Sequence, residues 1–256
     1  LLLVSPLNAE LNKEINEILE PIRAKHDLPA MTAAVFDTEG LFEQGTVGIR
    51  KKGREEKAAE NDLWHLGSNT KAMTATLAGT FVAEGKLAWN DPVGKHLPEF
   101  EKSIDPALRD VTVADLLAHR AGLIPNLQWS DFSRRNLVRA RREAARQLLT
   151  RKPASAVGEY VYSNAGYVVV GSILEKLGGK PWEDLLADRV FKPLGIRNAG
   201  FGGTGTIGKI DQPWPHNEAG EPTLMNGPLA DNPAVLGPAG IVHMTSRDWS
   251  RFLADQ

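Results

Sequence analysis

The 256-residue chain contains no cysteine. That excludes disulfides, thiolate metal sites and thiol catalysis, and leaves the redox compartment open. No apolar run approaches the roughly 18 residues that a membrane helix needs. Nor is there an excess of one charge: 30 Lys and Arg stand against 32 Asp and Glu, a formal net charge of -2. Nothing global therefore draws the chain to nucleic acid or to an acidic membrane. The six histidines lack ligand spacing such as H-x-x-x-H, so no metal or other cofactor is expected. Internal repeats and low-complexity linkers are also absent. What remains is ordinary globular composition, 42% apolar and 24% charged, in a length that suits one large domain or two small ones.

The opening "LLLVSPLNAE" has an apolar stub followed by small and turn residues. Residues 1–9 are read either as the remnant of a signal peptide, cleaved after Ala9, or as a strand or an ordered N-terminal arm. A helix is expected over "ELNKEINEILEPIRAKHD", with Leu11, Ile15, Ile18, Leu19 and Ile22 on one face. Residues 30–38 and 41–49 read as strands joined by Glu39-Gly40. Five helical patterns follow. One starts near Ser68 and stops at Gly85. "TVADLLAHRAGL" runs from a Thr cap to Gly122, and "RRNLVRARREAARQLLTR" is strongly basic. "NAGYVVVGSILEKLGG" stops at Gly-Gly, and "PWEDLLADRVFKPLGI" opens with Pro181. Residues 198–240 read as a long loop region. A last helix, "TSRDWSRFLADQ", is capped by Thr245 or Ser246 and has Asp248 in its first turn. Pattern alone thus gives a mixed α and β protein with one hairpin and a helix-rich middle. A lone hairpin is marginal in water and needs further strands or a helix face.

Ser68 and Lys71 stand three positions apart at the start of an apolar helix, so they share a face. A serine hydroxyl is a poor nucleophile until a base takes its proton. A lysine can act as that base if burial lowers its pKa. The helix N-terminus adds a field that favours negative charge at Ser68. The plainer reading makes Ser68 a cap and Lys71 a surface residue, but a lysine so early in a helix opposes the macrodipole. A second element, "VYSNAGYVVVGSIL", places Tyr162 and Asn164 around Ser163 at a helix entry. The tyrosine suits proton relay and the amide suits holding a carbonyl, against a plain helix cap beside a packed aromatic.

Together these elements resemble the serine β-lactamase and penicillin-recognising enzyme family, in which S-x-x-K is a signature. The Tyr-Ser-Asn form is most similar to class C β-lactamases and the related D-Ala-D-Ala carboxypeptidases and esterases. The segments "VTVADLLAHRAGL", "VFKPLGIRNAGF" and "GPAGIVHMTSRDWSRFLA" also match family segments in order, so the resemblance spans roughly residues 10–256. It implies one domain over 10–256 of α+β class, with an antiparallel sheet from the terminal segments packed against a helix-rich region. It further implies acylation of Ser68 by a β-lactam, a D-amino acid peptide or a small ester. Lys71 and Tyr162 would share the proton traffic, with the identity of the base open. Asn164 would bind the substrate amide carbonyl, and the Ser68 N–H would form half an oxyanion hole. A periplasmic or secreted location is expected, with a cytoplasmic one as the alternative.

One family motif, Lys-Thr-Gly or His-x-Gly on a core strand, is not found. Gly203-Thr204-Gly205 lacks the cation and comes too early, and His243 and Thr245 lack the following glycine. The chain is therefore expected to stop before that strand, with the rest missing from the sequence, on a separate chain or supplied by a second copy. A non-hydrolytic penicillin-binding or sensor module, or an inactive fragment, is the alternative function. The expected partners are a small-molecule or peptide substrate, with no nucleic acid and no membrane span. The arginine run Arg134, Arg135, Arg139, Arg141, Arg142 and Arg146 reads as a solvated face rather than a phosphate grip, since no aromatics interleave it for base stacking. His119 reads as a charge at a helix C-terminus or a buried hydrogen bonder. His65 is a weak candidate for the site lining. Trp129 is either a pocket wall or a loop anchor.

Overall fold

A computed structural model describes residues 6–224 and 231–256, with side chains of the first helix described from residue 13 onward. Its first half comprises α1 (Pro6–Lys25), β1 (Ala30–Asp37), β2 (Gly40–Gly48), β3 (Trp64–His65), α2 (Thr70–Ala83), α3 (Val93–His96) and α4 (Val113–Leu117). Its second half comprises α5 (Leu137–Leu149), α6 (Asn164–Gly178), α7 (Trp182–Leu186), β4 (Ala199–Phe201), α8 (Gly237–Gly240), β5 (Val242–Met244) and α9 (Ser246–Ala254). The chain forms two compact units. One is built from Leu1–Leu66, Phe191–Asp231 and Val242–Gln256, and the other from Gly67–Val190 and Asn232–Ile241.

The first unit holds all the strands found among the described residues. β1 and β2 form the expected antiparallel hairpin, closed by the Asp37↔Gly40 pair and bulged between Val35 and Phe36. α1 lies close on β2: a methyl group at Gly45 would run into Ile15. The face expected for α1 is only partly right. Leu19 is buried, whereas Ile18 and Ile22 are exposed. Residues 1–5, and with them most of the signal-peptide reading, lie outside the described residues. A second antiparallel sheet, ordered β3-β5-β4, corrects the single-hairpin expectation. Part of the 198–240 region is therefore strand, and residues 225–230 of it are not described. α9 starts at a Thr245 cap, whose hydroxyl accepts from the Asp248 N–H at 3.2 Å.

The second unit is helical. α6 is apolar all round, and every residue from Ala165 to Glu175 is buried, as expected of a helix at the centre of a core. Its glycines bring neighbours close: a Cβ at Gly166 would press on the Leu116 carbonyl of α4, and one at Gly171 would collide with Pro238 of α8. α2 buries Met73, Leu77 and Phe81 completely. Each such side chain contributes about 1.5–3 kcal/mol. α4 begins with the expected Thr112 cap, a capping box with Asp115. It ends well before Gly122, because His119 turns into the left-handed region at φ 61°. Pro181 is the residue before α7 rather than its first turn.

The basic run on α5 also needs correction. Arg141 is fully buried, not solvated. Its guanidinium bonds Glu175 at 2.6 Å, Glu183, and the Val235 and Ala234 carbonyls at 3.2 and 3.0 Å. This cluster ties α5, α6 and α7 to the stretch that leads into α8. No helix among the described residues is long and apolar enough to cross a membrane.

Candidate functional site

Ser68 sits in a 3-10 turn, Gly67–Asn69, that feeds directly into α2. Gly67 takes φ 50°, which bends the chain sharply before the helix. Ser68 is exposed, while Lys71 one turn later is 6% exposed. The i,i+3 spacing works as the sequence implied: Lys71 Nζ donates to Ser68 Oγ at 3.0 Å. The Tyr162 hydroxyl donates to the same oxygen at 2.7 Å. Two residues of the expected set therefore converge on one atom of a third.

Lys71 is also tied from behind. Its Nζ donates to the Ala239 carbonyl at 2.7 Å, and Thr74 donates to the neighbouring Pro238 carbonyl at 2.7 Å. These carbonyls belong to the Gly237–Gly240 stretch, which is held by α6 contact at Gly171 and by Asn232 Nδ2 on the Gly240 carbonyl at 2.7 Å. Burial lowers the Lys71 pKa, with the Tyr162 hydroxyl opposing. For Tyr162, burial pushes the phenol up, but its bonds with Lys71 and Ser68 outweigh this and leave it lowered. The amine and the phenol lie next to each other, so their titrations belong to the pair rather than to either residue.

Asn164 is the first residue of α6, after the Ser163 cap. Its N–H donates to the Pro125 carbonyl at 3.0 Å, and its side-chain amide donates to Asn126 Oδ1 at 2.9 Å. Asn126 Oδ1 also accepts from Trp129 Nε1 at 3.0 Å. Trp129 is thus a loop anchor, nearly buried, that fixes the partner of Asn164.

Some of these groups gave no signal in the sequence. The Ala239 carbonyl could not be singled out, because a backbone acceptor has no sequence signature; only its place in the family-like segment "GPAGIVHMTSRDWSRFLA" marked the stretch. Asn126 was one polar residue in a loop. His119 proves to be a hydrogen-bond acceptor rather than a helix-end charge: its Nδ1 accepts the Ser163 N–H at 3.0 Å. His65 pairs with Asp231 at 2.6 Å. His243 is buried in β5, with Nδ1 against the Gly202 carbonyl at 2.9 Å.

The family model described as Beta-lactamase matches residues 15–256. Penicillin-binding protein 4 of Amycolatopsis lactamdurans is 28% identical over 183 residues, which is 72% of this chain and 47% of that protein. The chain spans about half or less of the length of the curated relatives it matches. Among solved structures, a class C β-lactamase superposes with a TM-score of 0.77 at 24% identity, over 98% of this chain and 65% of its own. A D-amino acid amidase from Ochrobactrum anthropi SV3 superposes with a TM-score of 0.72 at 25% identity, over 95% and 69%. These likenesses establish the α+β fold of the β-lactamase and transpeptidase type.

Proposed function

The chain belongs to the β-lactamase family, and on that premise we propose that Ser68 is acylated by an amide or ester substrate. Candidates are a β-lactam, a D-amino acid peptide or amide, and a small ester. The observation that carries this reading is the convergence of Lys71 Nζ and Tyr162 OH on Ser68 Oγ, at 3.0 and 2.7 Å.

In the proposed reaction Ser68 Oγ attacks the substrate carbonyl carbon, and its proton passes to the Lys71–Tyr162 pair. The tetrahedral oxyanion lies at the N-terminus of α2, where the Ser68 N–H and the helix field favour negative charge. Collapse breaks the C–N or C–O bond, and the pair returns the proton to the leaving amine or alkoxide. Water then attacks the acyl carbon, gives its proton to the same pair, and Ser68 Oγ recovers one as it leaves. Asn164, oriented by Asn126, holds the substrate amide carbonyl. Because amine and phenol share the proton, either can be the base in the first step. Burial lowers the Lys71 pKa, and the bonds with Lys71 and Ser68 lower that of Tyr162, so both shifts favour the proton-accepting form.

The test is intact-protein mass after incubation with a β-lactam and, separately, with a fluorophosphonate, on wild type and Ser68→Ala. An adduct of one acyl or phosphonyl group, absent in Ser68→Ala, is the expected result. A β-lactam adduct that persists marks a penicillin-binding protein, and one that decays marks a hydrolase. No adduct with either reagent would overturn the acylation proposal in favour of a binding module.

A further inference from the structure

The chain has three tyrosines, Tyr160, Tyr162 and Tyr167, and the ring of His119 touches all of them. Its face is stacked on Tyr162 with centroids 4.6 Å apart and planes 30° apart. It meets Tyr160 edge-on at 5.8 Å and Tyr167 at 5.4 Å. His119 also grips the strand-like segment that carries Tyr162 on both sides. Its carbonyl accepts the Val161 N–H at 2.9 Å, and its Nδ1 accepts the Ser163 N–H at 3.0 Å. It does so from a left-handed backbone, φ 61°, which is unfavourable for a residue with a Cβ. The neighbouring contacts must therefore sustain that conformation.

The chemistry of the imidazole gives these contacts a condition. Nδ1 accepts a hydrogen bond only when it carries no proton, so the neutral ring must be the Nε2–H tautomer. A proton on Nδ1 would set two N–H groups against each other, and the ring would have to leave the stack. We propose that His119 is the positioning residue of Tyr162, holding the phenol on Ser68 Oγ only while its imidazole is neutral. The inference rests on the acylation reading for its effect on rate, but not for its effect on Tyr162.

The surroundings agree. Burial, and then the Lys71 charge, hold His119 below its ordinary pKa of 6.5. The groups that face it are Lys71 from α2, Tyr160 and Tyr162 from the segment before α6, and Tyr167 from α6. Among them the cation disfavours a second positive charge. His119 touches no reacting atom, so its influence passes through Tyr162.

Asparagine is the informative substitution. It tolerates the left-handed backbone, offers Oδ1 to the Ser163 N–H, and does not titrate. With 13Cζ-labelled tyrosine the protein gives three signals, and Tyr162→Phe assigns one of them. In wild type the Tyr162 signal is expected to shift as His119 protonates below about pH 6.5, and the shift is expected to vanish in His119→Asn. Fluorophosphonate labelling of Ser68 should fall with the same midpoint in wild type. In His119→Asn it should be roughly 10-fold slower at pH 8, as expected for a small displacement of a catalytic group, but without that acid step. A Tyr162 signal indifferent to His119 titration in wild type would overturn the proposal, even if the variant does not fold. So would a variant that keeps the wild-type rate and acid limb. If wild type is not labelled at all, the acylation reading fails, and the tyrosine signals still decide the role of His119.

Discussion

Lys71 puts an ammonium where little water reaches it, and that has a consequence for stability as well as chemistry. Its folded pKa lies below the unfolded value of 10.5, chiefly through burial. Between those two values the unfolded chain binds the proton that the folded chain has released, so stability should rise with pH across that window. Below the folded pKa the buried charge is a constant penalty. Lys71→Met keeps the stem and removes the charge. Urea unfolding of wild type and Lys71→Met should therefore differ least favourably for wild type near pH 7, and the difference should move in favour of wild type toward pH 10. A gap independent of pH would show that Lys71 is not perturbed. The same variant should lose at least ~100-fold in fluorophosphonate labelling, the range for removing a general base. At this scale the sequence was informative where spacing alone fixes geometry, as in Ser68 and Lys71. Spacing says nothing where a partner comes from afar. Tyr162 OH reaches Ser68 from 94 positions away, and its part was legible only from its place at a helix entry and from the family resemblance; the backbone N–H that His119 accepts lies 44 residues distant.

Elements position the candidate site through close approach rather than through specific bonds alone. The Gly237–Gly240 stretch supplies the carbonyls behind Lys71, and it rests on α6 at a glycine. A Cβ at Gly171 would collide with the Pro238 ring, so Gly171→Ala must push α6 and α8 apart. About 1–3 kcal/mol of stability should be lost, and Ser68 labelling should slow about 10-fold as the Ala239 carbonyl moves off Lys71. Gly79 is the control. A Cβ there meets only Trp89, at 3.8 Å, and the position is interior to α2. Gly79→Ala should stabilise by about 0.4–1 kcal/mol with labelling unchanged. Thermal melts and labelling rates of the two variants test this, and equal behaviour would refute it. The long helices α5 and α6 were legible, α5 from its long basic run and α6 from its length and its Gly-Gly stop. α4 was overread, since its pattern continues past Leu117 while the helix does not. A left-handed histidine is not a stop signal that a sequence displays. Arg141 was misread for a related reason: within a basic run nothing distinguishes the one guanidinium whose carboxylates, Glu175 and Glu183, arrive from two other helices.

At the scale of the whole molecule, the discontinuity of the two units explains what pattern could not supply. The second sheet was missed because its strands are two or three residues long and come from three separated places in the chain. Such short strands carry no alternation to read. The unit containing them is assembled from three segments, and Asp248 joins two of these. It is completely buried; its Oδ2 accepts the N–H groups of Arg197 and Asn198 at 3.1 and 2.6 Å, and its Oδ1 accepts from Arg251 at 2.6 Å. In the sequence it is an acid in a first helical turn, a helix-start signal. In the fold it fixes α9 to the segment that enters β4. Asp248→Ala would take the acceptor from two backbone N–H groups in a part-buried contact, at up to about 1–3 kcal/mol each, the cost of leaving such groups unpaired. Asp248→Asn keeps an oxygen for those N–H groups and gives up the contact to Arg251, whose side chain is 41% exposed and whose pair is worth at most ~1 kcal/mol. Chemical unfolding should therefore rank wild type above Asn and Asn well above Ala. Amide exchange at Arg197 and Asn198 should accelerate in Ala and stay slow in Asn. If Asn is as damaging as Ala, the carboxylate charge rather than the two accepted N–H groups holds the segments together, and this account of the first unit is wrong.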